Sequence, residues 1–222
     1  LGRGAAAPPD GPWVLRADWT AAGPGLGLAG GSVYDEATAR RIDRLAARHG
    51  PLLVEPWLRA RLACGVTGWV LADGSLRMAP PHVQRVDGRG RFRGLWVPPR
   101  QGPGGLEAGE ALALSEVVRQ VGERLARSGL RGPFAVDALV HDVQGERRLH
   151  PLVELNPRLS FGHVAQVLAE RLGVGAHGGE LVLARAAPDR GASAQVLLHG
   201  HGAGTSNDGW GAWWLRHERP PR

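Results

Sequence analysis

Glu154, Asn156 and Arg158 alternate along one short run, His150-Pro-Leu-Val-Glu-Leu-Asn-Pro-Arg-Leu-Ser-Phe-Gly162. In an extended strand alternate side chains share a face, so these three polar groups point one way while Val153, Leu155 and Pro157 point the other. Upstream, Phe134-Ala-Val-Asp137-Ala-Leu-Val140 is an apolar β-forming run that carries one carboxylate. A two-residue turn at Gln144-Gly145 or at Gly145-Glu146 would fold the two runs into a hairpin. Asp137 then falls opposite Leu152 or Glu154, and in both registers Asp137 and Glu154 lie on the same face.

Two carboxylates and an amide oxygen held together repel unless a cation sits among them. Hard oxygen ligands of this kind suit Mg²⁺, which is typically bound through one or two carboxylates plus substrate phosphates. Arg158 adds a fixed cation able to grip a phosphate oxygen. The cluster therefore predicts a metal–nucleotide site, and its plain alternative is a surface hairpin with one wet face. Composition favours the former. Every strong base of the chain is Arg, and one of its only two Asn residues stands inside this run.

Glu154-Leu-Asn156-Pro-Arg158, preceded by the strand bearing Asp137 and followed by Ser160-Phe-Gly-His163, resembles the C-terminal half of the ATP-grasp fold of carboxylate–amine ligases. The resemblance implies an α+β fold of two α/β subdomains with antiparallel sheets enclosing a nucleotide cleft. It implies that Asp137, Glu154 and Asn156 hold Mg²⁺ on ATP and that Arg158 contacts the transferred phosphate. The implied reaction joins a small carboxylate to an amine through an acylphosphate, with ATP and Mg²⁺ as cofactors.

The strand-like segment at Trp13–Asp18 runs into the most glycine-dense stretch of the chain, residues 20–32. Glycines let backbone amides surround an anion without Cβ obstruction, so this loop could cover phosphates. In the resemblance Arg16 takes the place of a nucleotide-binding Lys, and Thr20, Gly23, Gly25 and Gly27 lie over the triphosphate. Arg keeps the charge but not the compact ammonium. Gly25-x-Gly27-x-x-Gly30 also matches a dinucleotide pattern, but no helix opens within it. After an amphipathic helix over 35–49 comes a buried strand, 52–57, ending Glu55-Pro-Trp57. There the resemblance implies a ribose or adenine contact for Glu55, beside a hinge containing Trp57.

The remaining order is a β-meander over 61–97, a long helix over 106–128, the carboxylate hairpin, and a helix over 162–172. One more helical turn or two is expected over 180–186 and a strand over 194–199. Arg59, Arg61, Arg77 and Arg93 are candidates for an anionic substrate cleft or for solvated strand faces. His163, at a helix start, reads as a structural hydrogen-bonder, and the tryptophans near the C-terminus as packing residues. The expected divisions are a linker at 1–12, a glycine-loop subdomain at 13–57, the metal-binding subdomain at 58–199, and a tail at 200–222.

The formal charge of +6 admits a nucleic-acid partner, but the Arg residues are interspersed with acids, and an anionic small substrate explains them equally well. A single cysteine, Cys64, excludes a disulfide framework and a thiolate metal site. No apolar run is long enough to span a bilayer, so a cytoplasmic protein is expected. The opening at Leu1 reads as a fragment or processed product, from which the domain that precedes the lysine strand in such ligases is expected to be missing. A separate N-terminal domain or a homo-oligomer is therefore an expected partner. Two alternatives stay open: a non-catalytic or incomplete nucleotide-binding relative, and a basic nucleic-acid-binding module.

Overall fold

The computed structural model describes residues 13–17, 28–29, 36–87, 92–99, 104–174, 176–184, 194–199 and 211–217. It divides into two compact units, Leu1–Arg59 and Ala60–Arg222. Among the described residues no helix is long and apolar enough to cross a membrane.

The first unit contains β1 (Trp13–Ala17), β2 (Leu28–Ala29), α1 (Glu36–His49) and β3 (Leu52–Pro56), with the antiparallel strand order β2-β1-β3. Alternation along β1 sends Trp13 and Leu15 to one face, where they pack with Ile42 of α1 and with Leu45, Leu52 and Val54. The glycine-dense loop, with Thr20, Gly23, Gly25 and Gly27, lies outside the described residues, as does the 1–12 stretch.

The second unit is built on a nine-stranded antiparallel sheet. Its strands are β4 (Ala60–Val70), β5 (Leu76–Met78), β6 (His82–Val86), β7 (Phe92–Val97), β8 (Gly132–Val143), β9 (Glu146–Asn156), β10 (Gly179–Ala184), β11 (Ala194–His199) and β12 (Gly211–Arg216). The order is β11-β12-β10-β7-β6-β4-β8-β9, with β5 paired to β4. Helix α2 (Ala108–Arg127) connects β7 to β8, and α3 (Phe161–Leu172) follows β9.

The two helices serve opposite faces. Cys64, Val66 and Val70 of β4 alternate inward with Phe134, Val136, Ala138 and Val140 of β8, and Leu114 and Val118 of α2 close that core. Phe134 fits because Gly68 and Gly122 leave room at the tip of its ring; a Cβ at Gly68 would come within 2.5 Å of it and one at Gly122 within 2.9 Å. Near α3, Ala165 packs with Leu95, Val97, Leu181 and Trp214. The face of β4, β8 and β9 opposite α2 carries Gly65, Asp137, Glu154 and Asn156.

Two expectations are corrected. Residues 180–186 do not begin a helix: Gly179–Ala184 is a strand paired on both sides, to β7 and to β12. The Glu180-Leu-Val-Leu run is too short to carry its own helix, and the ladder partners that fix it as a strand lie far away in sequence. The 200–222 stretch is not wholly a tail, because Gly211–Arg216 is an interior strand with Trp213 and Trp214 buried. Within the expected meander, β6 pairs between β4 and β7.

Candidate active site

The β8–β9 hairpin turns at Gln144-Gly145, with both residues at positive φ, 54° and 86°, the conformation a two-residue hairpin turn requires. From that turn the register pairs Val143 with Glu146 and runs regularly to Leu139 opposite His150. A shift between Asp137 and Leu139 then makes Glu154, rather than Leu152, the direct partner of Asp137. Pro151 lies in the shifted segment; it has no N–H for the ladder, and β9 is an edge strand, where proline is tolerated. The displacement is by two residues, so Glu154 keeps its face.

Asp137 is held by two amides. Gln84 Nε2 donates to Asp137 Oδ1 at 2.5 Å, and Asn156 Nδ2 donates to Oδ2 at 3.3 Å. The Asn156 oxygen in turn accepts from Arg158 Nη2 at 2.8 Å. This sequence of partners fixes the Asn156 amide: nitrogen toward a carboxylate, oxygen toward a guanidinium. Asn156 is buried, at 8% exposure, whereas Arg158 is exposed. A tight turn, Arg158 N–H to Asn156 O at 2.8 Å, sets the guanidinium back over the strand end.

Gln84 lies on β6 and Asp137 on β8, with β4 between them. Strands two apart are separated by about 10 Å, so their side chains meet only by crossing over β4. There the floor is Ala63, the partner of Gln84, and Gly65, the partner of Asp137. A Cβ on Gly65 would lie 3.2 Å from Asp137 Oδ1 and 3.0 Å from His82 Nε2. His82, 3% exposed, is wedged between Gly65 and Gly162 of α3. Burial, reinforced by the neighbouring His163, pushes its pKa down to about 4, so it is neutral at pH 7.

His163 is structural, as its position at a helix start suggested. Its Nδ1 accepts from Ser160 N–H at 3.2 Å, and its Nε2 lies 3.2 Å from Gly68 O, which assigns the Nε2–H tautomer. Burial lowers its pKa. Cys64 faces the α2 core, where burial pushes its thiol up to about 12; such a thiol is no nucleophile.

Among the described residues no three His, Cys, Asp or Glu side chains form a metal-holding group. A cation at this face would rest on the mixed set of Asp137, Glu154 and Asn156. In the first unit Arg16 and Glu55 form an ion pair with each other; their strands run antiparallel, with Val14 opposite Glu55 and Arg16 opposite Leu53. Trp57 follows β3 and is half-buried. Two of the meander arginines pair with acids, Arg61 with Asp142 and Arg93 with Asp87. Sequence reasoning missed Gln84, His82 and Gly65. The visible signal was the polar alternation His82-Val-Gln84, but nothing local says that Asp137 lies two strands away.

The fold has close counterparts among solved structures. N5-carboxyaminoimidazole ribonucleotide synthetase from Thermus thermophilus matches 94% of this chain and 57% of its own, at TM-score 0.58 and 15% identity. Biotin carboxylase from Campylobacter jejuni, solved with β-γ-ATP, matches 93% of this chain and 54% of its own, at TM-score 0.64 and 13% identity. Carboxyaminoimidazole ribonucleotide synthase from Aspergillus clavatus, complexed with ATP, matches 93% and 58%, at TM-score 0.60 and 15% identity. All three are ATP-grasp proteins. This chain has the ATP-grasp fold. The ATP-grasp chain spans little more than half the length of these structures. No protein-family model matches the sequence, and no curated protein matches it.

Proposed function

We propose that this chain is the nucleotide-binding part of an ATP-dependent carboxylate–amine ligase that works through an acylphosphate. The observation that carries the reading is the gathering of Asp137, Glu154 and Asn156 on one sheet face of an ATP-grasp fold, with Arg158 bonded to Asn156. The donor set suits Mg²⁺: it is all oxygen, and the oxygens that already accept an N–H keep a second lone pair. Bound with ATP, Mg²⁺ would neutralise phosphate charge, the main requirement of phosphoryl transfer.

In the proposed reaction a carboxylate oxygen attacks the γ-phosphorus and ADP departs, leaving an acylphosphate. The amine then attacks the acyl carbon, loses a proton and expels inorganic phosphate as the amide forms. Arg158, exposed beside Asn156, is suited to grip the moving phosphoryl group through its forked N–H donors. Arg16 and the loop holding Thr20, Gly23, Gly25 and Gly27 would face the phosphates, with Glu55 and Trp57 near the nucleoside. The acid and amine sites are proposed to draw on a further domain or partner, since this chain spans little more than half the length of the matched structures.

The Arg16–Glu55 pair favours a second reading, nucleotide binding without turnover, because Glu55 offsets part of the charge that Arg16 would bring to a phosphate. A nucleic-acid module is disfavoured by the number of arginines neutralised by acids, among them Arg61, Arg85, Arg93, Arg119 and Arg147. Calorimetric titration of the full chain with a non-hydrolysable ATP analogue and Mg²⁺ tests the site. Saturable, Mg²⁺-dependent binding that disappears in Glu154→Ala is expected, and no binding by the wild type overturns the reading. ADP release in the presence of paired carboxylates and amines separates ligation from binding alone.

A further inference from the structure

We propose that Gln84 is a positioning residue of this site: its side-chain amide reaches over β4 and fixes the orientation of Asp137 for a divalent cation. The inference rests on the metal–nucleotide reading above. Asp137 Oδ1 lies 2.5 Å from Gln84 Nε2, and because a carboxylate only accepts, the amide must present its nitrogen. Together with Asn156 Nδ2 on Oδ2, this bond grips the carboxylate at both oxygens and sets its plane.

The crossing is possible because β4 presents no large side chain beneath it. Gly65 and Ala63, the partners of Asp137 and Gln84, form the floor, and a Cβ on Gly65 would stand 3.2 Å from Asp137 Oδ1. His82 Nε2 lies 3.0 Å from the same Cβ position, so the floor beneath Asp137 has no room for a larger residue there. The alternation of β6 puts His82 and Gln84 on the face of Gly65 and Asp137, while Arg85 points to the opposite face and pairs with Glu180. Partners that orient a metal ligand typically change metal affinity 10- to 100-fold when removed.

The test is Mn²⁺ binding to the full chain, read by electron paramagnetic resonance without nucleotide turnover. The variants are Gln84→Met, Gly65→Ala and Glu154→Ala, with thermal unfolding as a check on folding. Gln84→Met keeps length and removes the donor; Gly65→Ala keeps Gln84 and crowds its partner. About a tenfold to hundredfold loss of Mn²⁺ affinity is expected in Gln84→Met, and a loss in the same direction in Gly65→Ala. Unchanged affinity in a folded Gln84→Met overturns the proposal while leaving the site reading intact. A loss in Gly65→Ala alone also overturns it, because room rather than the hydrogen bond would then govern Asp137. If Gln84→Met does not fold, Gln84→Ala takes its place, and unchanged affinity there overturns the proposal. Wild-type chain that fails to bind Mn²⁺, or Glu154→Ala that binds as well as wild type, overturns the site reading and this proposal with it.

Discussion

Asp137 and Glu154 are direct partners across β8 and β9. Residues so placed have Cβ atoms about 5 Å apart, and like charges directly opposite destabilise a sheet. The arrangement opposes stability, and a bound cation would relieve the repulsion.

Glu154→Gln should therefore stabilise the free protein, by up to about 1 kcal/mol, while weakening Mg²⁺–ATP binding. Urea unfolding without ligand and calorimetry with it measure the two effects. A variant that loses stability and keeps affinity would contradict the assignment of Glu154 to the site.

His82 gives the fold an acid-sensitive element. Its folded pKa, about 4, is depressed by burial below the ordinary value near 6.5, so the unfolded chain binds more protons between those values. Stability is full above about pH 6.5 and falls as pH drops toward 4, with a slope reaching about 1.4 kcal/mol per pH unit. The burial effect on His163 acts in the same sense. Urea unfolding at pH 7 and pH 4.5 should show a smaller acid loss in His82→Phe than in wild type.

The Phe134 slot is a packing constraint apart from the site. A Cβ at Gly68 would come within 2.5 Å of the Phe134 ring, so Gly68→Ala should cost about 1–3 kcal/mol through overpacking. The melting temperature should fall. Paired with Phe134→Leu, which frees the slot, Gly68→Ala should cost less than it does alone.

Glu180 is 1% exposed and contacts Arg85 Nε at 2.5 Å and His217 Nε2 at 2.8 Å. It fastens β10 to β6 and to the residue after β12. Arg85→Met should destabilise by about 2 kcal/mol, less than for a fully buried pair because Arg85 is one-third exposed. Chemical denaturation measures the cost, and Mn²⁺ affinity should stay near the wild-type value because Arg85 lies on the face away from Asp137.

Local periodicity was enough to read that Asp137, Glu154 and Asn156 share a face, because side chains alternate along a strand whatever surrounds it. The helices over 36–49, 108–127 and 161–172 were legible for the same kind of reason: their apolar residues recur at helical spacing and glycines stand at their ends. The order of these elements, with the Glu-x-Asn-x-Arg run, sufficed for the ATP-grasp fold.

Tertiary structure decided what alternation leaves free. The Gln144-Gly145 turn alone would have set Leu152 opposite Asp137, and the irregularity around Pro151 moved Glu154 into that place. Gln84 meets Asp137 across 53 residues of sequence only because β4 inserts between their strands and offers Gly65 and Ala63 there. Arg16 faces Glu55, β10 is a strand, and Trp213 and Trp214 are interior for one shared physical reason. Strand pairing joins residues distant in the chain, and the neighbour that satisfies a backbone or a charge is set by the assembled sheet rather than by adjacent sequence.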